Sequence, residues 1–173
     1  MSLFFNYRDY ETIFPIILPT LDTSDYKTLS ESQVISSIGM YLRNTQRILS
    51  DSVSLINNTD NLDVYFKRFE MVVEILKNWS LISECNMQYF KSGNPKNDYE
   101  QVINSETKNQ RNAVDRYIDK EKKTIASLST EKGRMNKYNK MIELLTKNIE
   151  NFTPENQKYI NEIINSKKAN QLH

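Results

Sequence analysis

The sequence predicts an all-α protein, an elongated helical bundle or a set of antiparallel coiled-coil hairpins. Three observations lead there. Met135, Tyr138, Ile142, Leu145, Ile149 and Phe152 recur at steps of three and four residues, drawing one apolar seam along a helix. Only three glycines and four prolines occur in 173 residues, too few for the many turns of an all-β fold. Hydrophobic residues make up 38% of the chain and mean hydropathy is −0.65, which suits helices burying narrow stripes better than a thick spherical core.

Residues 1–29 form an apolar N-terminal strap. Leu3, Phe4, Phe5, Tyr7, Tyr10, Ile13, Phe14, Ile16, Ile17, Leu18 and Leu21 are too apolar for a free tail, and Pro15 and Pro19 prevent one continuous helix. The strap lies across the bundle as an extended segment or short helix, or docks on a partner or second copy. A helical hairpin follows over 30–90. Its first helix starts near Ser30 to Ser32 with the stripe Val34, Ile38, Leu42 (with Tyr41), Ile48/Leu49, Val53 and Ile56. Gly39 weakens it and offers a place for another helix to approach. Asn57-Asn58-Thr59-Asp60-Asn61 is a turn. The second helix, Leu62 to Tyr89, carries Leu62, Tyr65, Phe66, Phe69, Val72, Val73, Leu76, Trp79 and Ile82 and should be the core helix. Arg68, inside its YFKRF run, pairs with an acid or caps a turn.

Lys91–Asn97 (KSGNPKN) reads as a loop. A helical arm or second hairpin with a closing helix occupies 98–165, so that the whole chain forms one domain. Its first helix spans Asp98 to Leu128. Asn104–Asn112 is polar all round and should be solvent-exposed or frayed, before Val114, Ile118, Ile125 and Leu128 restore the rhythm. At residues 129–133 the chain turns or continues as helix; Gly133 is the strong breaker there. After the seam, Thr153 caps a last helix with Pro154 and Glu155 in its first turn and Tyr159, Ile160, Ile163 and Ile164 on its apolar face. The tail frays from Ser166.

The 23 basic and 22 acidic side chains are unevenly spread. Residues 1–104 carry 9 basic and 13 acidic groups; residues 105–150 carry 11 and 7. The two regions attract each other, the basic one meets an acidic partner, or both are solvated helix faces. Cys85 alone cannot make an intramolecular disulfide, in keeping with a reducing compartment. MSLFFNYRDY lacks the basic and apolar regions of a secretory leader, and the longest apolar stretch, near Ile13–Leu21, is far short of a bilayer span. A cytoplasmic protein with no membrane contact is expected.

The inventory of reactive groups is thin. The single histidine is His173, so a histidine-dependent triad, base or metal site has no residue in the body of the chain. Cys85 falls near a predicted helix C-terminus, which does not favour a thiolate, and reads as a small filler. Three scattered glycines build no phosphate-binding loop. Glu70 and Glu74 at i, i+4 read as an exposed helix face. No catalytic, cofactor-binding or metal-ligating residues are assigned, and no cofactor is expected. Two sets of residues remain. The seam Met135, Tyr138, Ile142, Leu145, Ile149 and Phe152 invites a partner helix. Lys120, Lys122, Lys123, Lys132, Arg134, Lys137 and Lys140 offer a phosphate-tracking stripe, with Tyr117 and Tyr138 available for stacking. Asp115, Asp119, Glu121 and Glu131 interrupt that stripe.

NNTDNLDVYFKRFEMVVEILKNWSLI (57–82), RYIDKEKKTIASLSTEKGRMNKYNKMIELL (116–145) and FTPENQKYINEI (152–163) together resemble an uncharacterised all-helical family from Firmicutes and their phages or mobile elements. Its members show an Asn-Thr turn before a YFxRF-like helix, an SLxTEKG-like turn and a closing helix with a Pro-Glu-Asn opening. The resemblance covers roughly 50–170 and implies a bacterial or phage origin but no reaction. The function expected from the whole sequence is a non-enzymatic protein-interaction module, self-associating as a dimer or binding another protein. The alternative is a nucleic-acid-associated protein using 116–140. A carboxylate-only metal enzyme ranks third.

Overall fold

The computed structural model describes residues 6–20 and 25–170. Leu3, Phe4, Phe5 and Leu21 of the strap, and His173, lie outside the described residues. Seven α-helices and no strand occur among the described residues: α1 (Phe14–Ile17), α2 (Glu31–Asn58), α3 (Leu62–Cys85), α4 (Pro95–Asn104), α5 (Glu106–Ser127), α6 (Glu131–Lys147) and α7 (Pro154–Asn170). The all-α fold is as the sequence predicts. No helix among the described residues is long and apolar enough to cross a membrane.

The chain divides into two compact units: residues 1–54 with 69–103, and residues 55–68 with 104–173. In the first unit the N-terminal segment folds as helical turns at Tyr7–Tyr10, Leu18–Thr20 and Tyr26–Thr28 around α1. Ile13, Phe14 and Ile17 are buried with Leu29, Val34, Ile38 and Ile82 in one apolar cluster. Phe14 stacks on Tyr26 at 4.4 Å between ring centroids, and the Tyr7 hydroxyl donates to the Leu29 carbonyl. Cys85 packs at the edge of this cluster, with its Sγ 3.5 Å from Thr12 Oγ1.

The stripe of α2 departs from expectation at its middle. Ile48 and Val53 are exposed, and Thr45 and Ser52 are buried on the inner face. A hydrogen-bond requirement explains Thr45. The Trp79 indole N–H, on α3, donates to Thr45 Oγ1 at 2.8 Å, and the threonine hydroxyl donates back to the Tyr41 carbonyl at 2.7 Å. Asn78 donates to the Tyr41 hydroxyl at 3.0 Å one residue before. Among the described residues no neighbouring helix comes close to Gly39: the nearest atom to a Cβ at that position would be Arg43 Nη1, at 3.5 Å. α3 is shorter than predicted, ending at Cys85 before a separate turn at Met87–Tyr89. α4 starts earlier than predicted, because Pro95 stands in the first helical position, where its missing N–H costs nothing.

The predicted helix 98–128 is broken at Ser105 into α4, which belongs to the first unit up to residue 103, and α5 of the second. Residues 129–130 turn the chain, and α6 begins at Glu131 with Thr130 as its N-cap; Gly133 N–H donates to Thr130 Oγ1 at 3.1 Å. That close approach requires glycine, since a Cβ on residue 133 would fall 2.8 Å from the same oxygen. α5 and α6 pack on each other across the turn, with Tyr117, Ile118, Met141 and Leu145 buried. α7 starts at Pro154 and continues to Asn170, past the fraying predicted from Ser166. Its buried residues are Ile160, Ile164 and, unexpectedly, Asn156.

Candidate functional site

The chemistry of the second unit begins with residues at stripe positions that are not apolar. Continued backward from Val114 and forward from Ile118, the inner face of α5 takes in Gln110 and Glu121, 1% and 7% exposed. The polar stretch 104–112, predicted to be exposed or frayed, is instead packed through Gln110. Gln110 Oε1 accepts from the Thr153 backbone N–H at 2.9 Å and from Asn156 Nδ2 at 3.2 Å, and its amide nitrogen donates to Glu106 at 3.2 Å. Asn156 also donates to the Thr107 carbonyl at 2.8 Å and accepts from Arg111 Nε at 3.0 Å. The Arg111 guanidinium lies 3.6 Å from the centroid of the Tyr159 ring, whose hydroxyl donates to Asp115 at 2.7 Å. That donation, followed by burial, raises the Tyr159 pKa. Gln110 and Asn156, the buried amides of this network, are partnered, and the network holds α7 on α5.

A second polar constellation surrounds the turn after α2. Arg116 caps that helix with its guanidinium, donating to the carbonyls of Ile56 and Thr59 at 2.8 Å each. Lys120, one turn on, meets Asp60 at 2.8 Å. Glu121 meets Lys137 of α6 at 2.8 Å, with the carboxylate nearly buried and the ammonium about one-third exposed. Between the start of α3, α5 and α6 opens a cleft of about 240 Å³. Asp60, Asp63, Lys120, Glu121, Lys137 and Lys140 supply its charges; Leu62, Tyr117, Met141 and Leu144 supply apolar wall. Burial, then the charges of Glu121 and Asp63, push the Tyr117 phenol from 10.0 up to about 12. Among the described residues no group of three or more His, Cys, Asp or Glu side chains is placed to hold a metal ion.

The residues singled out from sequence scatter over this unit. Of the seam, Leu145 and Phe152 are buried, Tyr138, Ile142 and Ile149 are half-buried, and Met135 is 42% exposed. The seam is not one helix: α6 ends at Lys147 and Ile149 stands in a separate turn, Ile149–Asn151. Met141, outside the seam, is buried as deeply as the seam's Leu145, at 1% and 0% exposed. Phe152 meets Phe66 edge-on at 4.9 Å. Of the basic set, Lys120 and Lys137 are in ion pairs and Arg134 donates to the Leu128 carbonyl at 2.8 Å. Lys122, Lys123, Lys132 and Lys140 are exposed. Gln110, Asn156 and Glu121 were open to sequence reasoning through their register with Val114, Ile118 and Ile160, a register that weighing apolar residues alone passes over.

No protein-family model, curated protein or solved structure matches this chain.

Proposed function

We propose that the chain is a non-enzymatic helical interaction module, cytoplasmic and of bacterial or phage origin, that pairs with a second copy of itself through α6. The observation that carries this reading is the stripe Met135, Tyr138 and Ile142, partly open to solvent on a helix whose Met141 and Leu145 already fill the unit's own interior. Lys132 and Glu143, both exposed, flank the stripe on one edge, about three helical turns apart. An antiparallel α6–α6 contact centred near Tyr138 sets Met135 against Ile142 of the second copy. The same register brings Lys132 toward the second copy's Glu143, twice by symmetry. Apolar contact supplies the attraction and the charge pairs select the register.

Sedimentation equilibrium tests this. Dimer is expected at micromolar concentrations, with Glu143→Lys weakening it and the double exchange Glu143→Lys with Lys132→Glu restoring it. A chain that stays monomeric, or a double exchange no better than the single, overturns the reading. A second reading is favoured by one observation, the exposure of Lys122, Lys123, Lys132 and Lys140 outside any ion pair among the described residues. They would hold nucleic acid by its phosphates, in a salt-sensitive way abolished by Lys122→Glu with Lys123→Glu. A gel-shift series without binding at low salt removes it.

A further inference from the structure

The cleft of the second unit is built for more than structural ion pairs. Lys120 and Lys137 are matched to Asp60 and Glu121. Asp63 and Lys140 line the same cleft, and among the described residues neither is in an ion pair. One anion and one cation therefore remain beside an apolar surface made by Leu62, Tyr117, Met141 and Leu144. At about 30 Å³ per water, the cleft holds about eight waters, the space of a single amino acid and less than a drug-sized ligand fills.

We propose that this cleft binds a small zwitterion, its ammonium on Asp63, its carboxylate on Lys140 and its apolar body against Leu62, Tyr117, Met141 and Leu144. A purely anionic ligand would meet Asp60, Asp63 and Glu121, and a purely cationic one the three lysines. A molecule carrying both charges is the one that leaves neither set uncompensated. This inference is independent of self-association, since it uses neither Met135 nor Ile142.

Titration calorimetry and amide chemical-shift mapping of the full chain test it, with L-leucine and 6-aminohexanoate as probes of short and long charge separation. At least one is expected to bind, shifting Leu62, Tyr117 and Met141. N-acetyl-leucine, which lacks the ammonium, and leucinamide, which lacks the carboxylate, are expected to bind about tenfold more weakly than leucine if leucine is the binder. If 6-aminohexanoate is the binder, hexanoate and hexylamine take those places. Asp63→Asn and Lys140→Gln should each weaken the binding probe by about tenfold, with Lys122→Gln, exposed and outside the cleft, within about twofold of wild type. Failure of both zwitterions to bind overturns the proposal. So does a single-charge analogue that binds as well as its parent, a result needing no variant to fold.

Discussion

The two units bury their helices by different means. In the first, Ile13, Phe14, Ile17, Val34, Ile38 and Ile82 interlock in an apolar cluster with hardly any exposure. In the second, an apolar layer from Val114, Ile118, Met141, Leu145 and Ile160 is joined by Gln110, Glu121 and Asn156, all buried. An apolar cluster is non-directional and tolerates volume-conserving exchange. A buried amide chain is directional: each donor and acceptor fixes one rotation and one height of α7 along α5. Substitutions should therefore be read by size in the N-terminal apolar cluster and by hydrogen-bonding capacity along the α5–α7 contact, as also at the Thr45–Trp79 contact of the first unit.

The largest expected effect is Phe14→Ala, at about 3–5 kcal/mol of stability in urea unfolding, because the ring is buried in the cluster and stacked on Tyr26. A loss below about 1 kcal/mol would break the comparison by showing that the first unit's core does not depend on its N-terminal segment. Next comes Asn156→Ala, at about 2–3 kcal/mol, since Arg111 Nε and the Thr107 carbonyl lose their partners. The similar-sized Asn156→Leu should cost as much, whereas Ile38→Val in the first unit should cost about 0.5–1.5 kcal/mol. Thr130→Ala removes the α6 cap and should cost about 1 kcal/mol, seen also as faster amide exchange at Gly133. Lys120→Ala, at a solvent-exposed pair, should leave the urea midpoint unchanged.

The last effect is nil at neutral pH and sharpens the comparison above it. Burial raises Tyr89 in the first unit and Tyr117 in the second from 10.0 to about 12. Both hold their protons in the folded chain beyond the pH at which an unfolded tyrosine releases them. Their contribution is complete below pH 10 and falls away as pH rises toward 12. Tyrosinate absorbance and circular dichroism followed together should show the two units weakening over the same interval. Loss confined to one unit would contradict the shared cause, burial.

Much of the fold was legible because apolar periodicity reports the dominant force. The limits of α2, the turn that follows it at 59–61, inside the expected 57–61, and the start of α7 follow from stripe, turn residues and the Thr-Pro-Glu opening. Four of the residues that escaped share a physical origin. Thr45, Gln110, Glu121 and Asn156 are inward because each satisfies a partner from another part of its own unit, and hydropathy ranks them as outward. The candidate cleft was least legible of all. Lys140 appeared in a list of basic residues and Asp63 in none, and only folding sets them along one opening.

Asn156 and Thr153 supply what Gln110 and Arg111 lack, so the closing helix is a keystone rather than an appendage. A shortened chain that stops at Phe152 would strand a buried carbonyl and a guanidinium forty residues upstream. Trimming there by a protease, or choosing that boundary for expression, should unravel α5 instead of tidying the end, and a stable fragment must extend beyond Ile164.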